Sequence, residues 1–313
     1  MDNLQILPKV RDSWSYLYVE HARIEQDARA IAIHDAEGKT SVPCASLMVL
    51  MLGPGTNISH AAVRACAEAG CLVFWTGEQG VRFYAQGLGE TRSSRRLLKQ
   101  GMLWADPVKR LQVVFNMYRV RFSDELPTGM TLPQIRGMEG VRVRDAYARH
   151  SREADVPWSG RSYKRTKWSD ADPINRALSA ANSTLYGICQ AAIVAAGYST
   201  ALGFVHTGKM LSFVYDIADL YKVEITIPAA FEATAAGTHE LERRVRIHCR
   251  DLFHEQRLLS RIVDDIDRVL EVTTPEEDVQ LDAEMAAPGG LWDPTVGVVP
   301  GGENYAMLSG GGS

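Results

Sequence analysis

Over the first 85 residues the apolar positions come in short runs or in alternation, and from about residue 91 they come at helical spacing. Residues 13–19, SWSYLYV, are aromatic and β-branched with a period of two, and residues 30–34 alternate similarly before a turn at Gly38, as a half-buried strand requires. Residues 47–52 form a short apolar run stopped by Gly53, Pro54 and Gly55, the pattern of a buried strand. Residues 71–75 and 81–85 supply further strands across a Gly-Glu-Gln-Gly turn. Between these strands Ser59 is placed to cap an alanine-rich helix that Gly70 can end in the left-handed conformation.

Helical spacing then takes over in residues 97–104 and 108–122, with Asp106 and Pro107 at the second start. Asp172 and Pro173 open a long helix, rich in small residues, that runs to about Ala196 and stops at Gly197. That composition implies close packing. Phe213, Ile217 and Leu220 mark another buried stripe, as do Leu241, Val245 and Leu252, and the last periodic helix ends near Val272. The expected fold class is α+β: a small β-rich N-terminal domain over residues 1–88 and a larger all-helical C-terminal domain over 89–272. Residues 273–313 are acidic, contain Pro and Gly, and read as a disordered or extended tail, with Trp292 and Tyr305 as candidate docking points.

Charge changes the picture when it is divided along the chain. The 313 residues carry a formal net charge of −4, but seven of the 38 acids and none of the 34 Lys and Arg fall in the tail, which leaves the remainder at +3. Between Arg92 and Arg121 there are eight Lys or Arg, including Arg95, Arg96, Lys99 and Arg110, against the single acid Asp106. Such a run is either a phosphate-facing surface or a solvated helix face. Residues 156–169 interleave Trp158, Tyr163 and Trp168 with Arg161, Lys164, Arg165 and Lys167, the composition of a base-stacking surface or of a plain surface loop. A second basic run holds Arg243, Arg244, Arg246 and Arg250. Five cysteines without a CxxC pair argue for a reducing, cytoplasmic setting and against structural zinc. No leader-like segment opens the chain, and no apolar run approaches the ~18 residues of a membrane span.

The chemistry concentrates in residues 203–222, GFVHTGKMLSFVYDIADLYK. Asp216 and Asp219 lie three apart on a helix and can converge on one ligand, with His206 entering from the preceding loop. Two carboxylates and an imidazole suit magnesium or manganese, although the same spacing also occurs on solvated helix flanks. Carboxylates so crowded would repel one another without metal. Glu139, between two glycines and ringed by Arg142, Arg144 and Arg149, is either a salt-bridge partner or a third carboxylate whose arginine neighbours receive phosphate.

The runs RGMEGVRVRDAY, NSTLYG, AAGYSTALGFVHTGK and LSFVYDIADLYK, in this order, resemble the CRISPR-associated spacer-acquisition integrases, specifically their type I-E branch, and the likeness extends over residues 11–272. The resemblance implies a β-rich domain joined to a helical one, a catalytic Mg2+ or Mn2+ bound by Glu139, His206 and Asp219, and Asp216 as the second catalytic aspartate. It implies homodimers that flank a dimer of a small companion adaptation protein on double-stranded DNA, with no membrane. An aromatic wedge of related members falls on His21 here. The implied reaction is attack of a captured fragment's 3′-hydroxyl on a phosphodiester of the CRISPR repeat, with associated endonuclease activity. Expected phosphate contacts are Arg95, Arg96, Lys99, Arg142, Arg144, Lys209, Lys222, Arg243 and Arg246. A stand-alone structure-selective endonuclease and a non-catalytic DNA scaffold remain the alternatives.

Overall fold

The strands β1 (Tyr16–Val19), β2 (Arg23–Asp27), β3 (Ala30–His34), β4 (Lys39–Pro43), β5 (Val49–Leu52), β6 (Asn57–Ile58), β7 (Leu72–Thr76) and β8 (Phe83–Gly87) form two sheets, with helix α1 (His60–Glu68) preceding β7. One sheet has the order β1-β5-β7-β8, parallel except for β8; in the other, of order β4-β3-β2-β6, β2, β3 and β4 form an antiparallel meander. The computed structural model describes residues 16–28, 30–80, 83–87, 94–122, 126–127, 129–161, 172–272, 291–295 and 297–299. Residues 13–15 and 81–82, the basic positions Lys164, Arg165 and Lys167 with Tyr163 and Trp168, and Tyr305 lie outside the described residues.

Strand periodicity decides what each face of the first sheet meets. Leu50 and Leu52 of β5 and Val73 of β7 join Ile24, Ile31, Ile33, Ala62 and Cys66 in a core against the second sheet and α1. Their neighbours Val49, Met51, Leu72 and Phe74 turn the other way, into the core of the helical region. Every residue of β5 is buried, which explains its continuous apolar run. Ser59 caps α1 as expected, its side chain accepting from the Ala62 amide.

The helical region comprises α2 (Arg95–Ala105), α3 (Pro107–Arg121), α4 (Leu132–Glu153), α5 (Pro173–Ala195), α6 (Ser212–Ala218), α7 (Ile227–Ala235), α8 (Leu241–Glu255) and α9 (Leu258–Val269). Helix α5 is its axis: Asp172 caps it by accepting from the Asn175 amide, and α6, α7, α8 and α9 pack around it. Its small residues allow that closeness. At Gly187 a β-carbon would collide with the carbonyl of Gly80, so this glycine is where the helix seats on the 78–80 turn of the β-rich half.

The helix expected to carry the Phe213, Ile217 and Leu220 stripe is broken before Leu220. Helix α6 ends at Ala218, and a π-helical turn, Lys222–Thr226, follows before α7. Phe213, Ile217 and Leu220 are buried as the spacing predicts. Within the tail read as disordered or extended, the described residues form a two-stranded antiparallel ribbon, β9 (Leu291–Asp293) with β10 (Gly297–Val299), and Trp292 on it is 77% exposed. Among the described residues no helix is long and apolar enough to cross a membrane, and all five cysteines are buried free thiols.

Candidate active site

Asp216, on the buried face of α6, organises the loop ahead of it. Its side chain is fully buried, and its carboxylate accepts the amides of Phe204 at 2.6 Å, Val205 at 3.0 Å and His206 at 2.8 Å, with His206 Nδ1 at 2.7 Å. These donors leave it no room for a further ligand. The expectation that Asp216 and Asp219 converge on one ion is therefore corrected: three residues on a short helix separate them into an inward and an outward acid. The loop is gripped from behind as well. Arg110 donates to the carbonyls of Gly203 and Phe204, Trp104 Nε1 to that of Gly203, and Gln100 to those of Ser199 and Leu202. A β-carbon on Gly203 would stand 2.5 Å from the His206 carbonyl, so glycine is required there.

His206 is held by this frame with its side chain 43% exposed. Donation of the Nδ1 proton to Asp216 fixes the tautomer and presents Nε2 as the outward atom. The same hydrogen bond raises the pKa of His206 above its ordinary value; partial burial opposes the shift and Asp219 adds to it. Asp219, at the C-terminal cap of α6, binds Lys222 Nζ at 2.6 Å. Burial works against the Lys222 ammonium, but the charge of Asp219 and the neighbouring Tyr186 outweigh it and raise the pKa. Glu139, midway along α4, receives Arg142 through both oxygens, at 2.8 and 2.9 Å.

Arg121 connects the two acids. Its Nη1 lies 3.6 Å from Glu139 and its Nη2 4.0 Å from Asp219, and its side chain is 4% exposed. The guanidinium packs over the Tyr118 ring, while Nε, also buried, has no hydrogen-bond partner. Among the described residues no three His, Cys, Asp or Glu side chains stand together as a metal-holding group. The reason is visible in the contacts: the lone pairs of Glu139 and Asp219 are engaged by cations. The donor set itself fits a divalent ion, with two carboxylates for a hard cation and one imidazole nitrogen. The Asp216–His206 hydrogen bond is the outer support that a metal-binding histidine commonly has.

Several cations expected to face phosphate are internal ties. Arg96 donates to Asp267 at 2.9 Å and to the Ala196 carbonyl, with its guanidinium over Tyr198. Arg246 joins α8 to Glu78 at 2.9 Å. Arg161 holds Asn175, and Trp158 stacks on Tyr147 at 4.4 Å, so neither offers the stacking surface its composition suggested. Arg95, Arg144, Lys209 and Arg243 are exposed and Lys99 is half-buried, with Arg243 also paired to Glu240. In the sequence Arg121 is one basic residue among eight. A sharper signal was available, because it continues the buried stripe of Val113, Val114, Met117 and Tyr118, and a charge in such a stripe calls for a partner.

Residues 117–243, which span Arg121, Glu139, His206, Asp216 and Asp219, match the family model described as CRISPR associated protein Cas1. The CRISPR-associated endonuclease Cas1 2 of Thermus thermophilus is 57% identical over 304 residues, covering 97% of this chain and 93% of the relative. The chain belongs to the Cas1 family. The Escherichia coli CRISPR-associated endonuclease Cas1 is 42% identical, over 87% of this chain and 91% of the relative. Among solved structures, the TtCas1–DNA complex matches with a TM-score of 0.76 and 57% identity, over 85% of this chain and 100% of that one. A casposase bound to its integration product shares the fold alone, at a TM-score of 0.58, 14% identity and coverage of 88% and 96%.

Proposed function

We propose that the protein is a divalent-metal-dependent DNA integrase of the type I-E branch, which inserts captured fragments into the CRISPR array. The observations that support this reading are the hydrogen bond by which Asp216 holds His206 Nδ1 and so presents Nε2, and the reach of Arg121 to both Glu139 and Asp219. Support comes from the relatives, which are named endonucleases, and from the DNA complex of the related TtCas1. Double-stranded DNA is the substrate, a homodimer the working unit and the small companion adaptation protein its partner. Five free buried cysteines suit a reducing cytoplasm.

Glu139, His206 and Asp219 would hold Mg2+ or Mn2+, and such an ion supplies Lewis-acid polarisation of a phosphoryl oxygen and stabilises the charge that develops there. The chain's own residues do the rest. Asp216 keeps the imidazole aimed and its Nδ1 protonated, and the loop clamped by Arg110 keeps it in register. Lys209 and Arg144, exposed beside the site's segments, take backbone phosphates. In the reaction the fragment's 3′-hydroxyl oxygen bonds to the repeat phosphorus as the bond to the displaced strand oxygen breaks. One phosphodiester replaces another, and the hydroxyl proton passes to the departing oxygen through solvent.

A single-turnover assay on repeat DNA tests this, offering labelled fragments with a 3′-hydroxyl or a 3′-deoxy end, in Mn2+ or in chelator. Joined product that requires both the hydroxyl and Mn2+ is the expected result. Cleavage without joining would replace the reading with a hydrolytic endonuclease, and binding without either reaction would replace it with a scaffold.

A further inference from the structure

Three cations neutralise two carboxylates at this site. Both oxygens of Glu139 are taken by Arg142, Asp219 Oδ1 by Lys222 at 2.6 Å, and Arg121 spans the pair at 3.6 and 4.0 Å. A divalent ion needs the same lone pairs and brings two further positive charges. Arg142 and Lys222 must then leave the acids, and Arg121 loses its counter-charge. None can simply retreat to water: the side chains are 25%, 25% and 4% exposed.

Neighbouring acids are too few to take all three cations. Arg121 and Arg142 line a cavity of about 940 Å³ whose walls also carry Arg149, Arg152, Arg261 and Arg268. Of its three acids, Glu224 is held by both ends of the Arg261 guanidinium, Asp265 by Arg268 at 2.7 Å and the Tyr221 hydroxyl at 2.6 Å, and the exposed Asp145 sets a single charge against six arginines. Arg121 Nε is a buried donor without an acceptor even before any exchange, which is costly unless another group supplies one. The missing anion has to come from outside, and a guanidinium fork suits phosphate oxygens.

We propose that Arg121, Arg142 and Lys222 are counter-ions held by Glu139 and Asp219 until a divalent cation releases them onto DNA phosphate, so that metal and DNA bind cooperatively. This rests on the function proposed above. It makes the cations that close the metal-free site the same ones that grip the substrate once the site is loaded.

Fluorescence anisotropy of a 3′-deoxy-ended duplex, which cannot be joined, reads the coupling without turnover. Wild-type protein binds it more tightly in Mn2+ than in chelator, by about 5- to 150-fold, with a steeper salt dependence. By reciprocity the duplex tightens Mn2+ binding by the same factor, measured by calorimetry. In Arg142→Gln the gain in affinity on adding Mn2+ shrinks. Mn2+ binding to the DNA-free variant becomes tighter, because a competitor for Glu139 is gone. The inference is overturned if wild-type affinity is the same in Mn2+ and chelator, if Arg142→Gln loses as much affinity in chelator as in Mn2+, or if its DNA-free Mn2+ affinity is unchanged. Failure to bind DNA under either condition overturns the functional reading as well, whereas metal-independent binding with intact strand transfer overturns only this inference.

Discussion

At the scale of single residues, Asp216 and Asp219 show how similar neighbours in sequence acquire opposite jobs. Asp216 lies on the buried side of α6 and is saturated by amides and His206; Asp219 lies at the helix end and faces the cations. The raised pKa of His206 gives a pH prediction. Its pairing with Asp216 stabilises the fold fully below the unfolded value of about 6.5, and that contribution is lost as pH rises through the higher folded value. An NMR titration of metal-free protein should therefore place the His206 midpoint above the ordinary range, and Asp216→Asn should bring it down. The variant also loses a buried anion with backbone donors and should be less stable by about 2–4 kcal/mol in urea denaturation. Asp219→Asn removes a ligand charge, and strand transfer should collapse. Crowded carboxylates would have predicted a higher metal-free melting temperature for it. The structure reverses that sign, since Lys222 loses its partner: a loss of about 1–2 kcal/mol is expected, with a smaller gain on adding Mn2+. A metal-free melting temperature at or above wild type would show that the Lys222 pair is not stabilising.

At the scale of elements, legibility followed burial. Strands β5 and β7 and helix α5 were readable because each is buried over most of its length, and Asp172-Pro173 and Ser59 announced their helices through caps. Strands β2 and β4, RIEQD and KTSVP, escaped because they are largely polar and partly exposed, so ladder pairing with β3 defines them more than hydrophobicity does. The π-turn at Lys222–Thr226 escaped because one inserted residue leaves the apolar spacing almost intact. The acids of the site were legible from their motifs, and so was Arg142, three residues from Glu139 on the same helix, but Arg121 was not. It comes from α3, and only the packing of α3 brings it to Glu139 on α4 and to Asp219. Gly187 gives the test at this scale. A methyl group there meets a backbone carbonyl that cannot rotate away, so Gly187→Ala should push α5 off the 78–80 turn and cost about 1–3 kcal/mol. Chemical denaturation that leaves the midpoint unchanged would mean the two elements part without penalty.

At the scale of the whole molecule, the chain reads as two regions and a tail, yet the hydrophobic core does not stop between the regions. Strand β8 ends at Gly87 and α2 begins at Arg95, while Met51, Leu72 and Phe74 from the sheet share one core with Leu178, Leu185 and Ile188 from α5. Arg246 and Glu78 add an ion pair across the same junction. Breaking the sheet would expose apolar surface on α5, and melting the helices would expose the sheet, so each half depends on the other. Thermal unfolding followed by tryptophan fluorescence and by helical circular dichroism should give coincident transitions. The tail stands differently. Its described ribbon carries an indole that is 77% exposed, and its composition is acidic where the body is basic. A chain ending at Val272 should therefore keep the same coincident transition with its midpoint shifted by no more than about 2 °C, which a change of about 1 kcal/mol produces in a protein this large. A drop well beyond that would mean that residues after Val272 bury surface on the body. Separate transitions in the shortened chain alone would mean that the tail, rather than the shared core, holds the halves together.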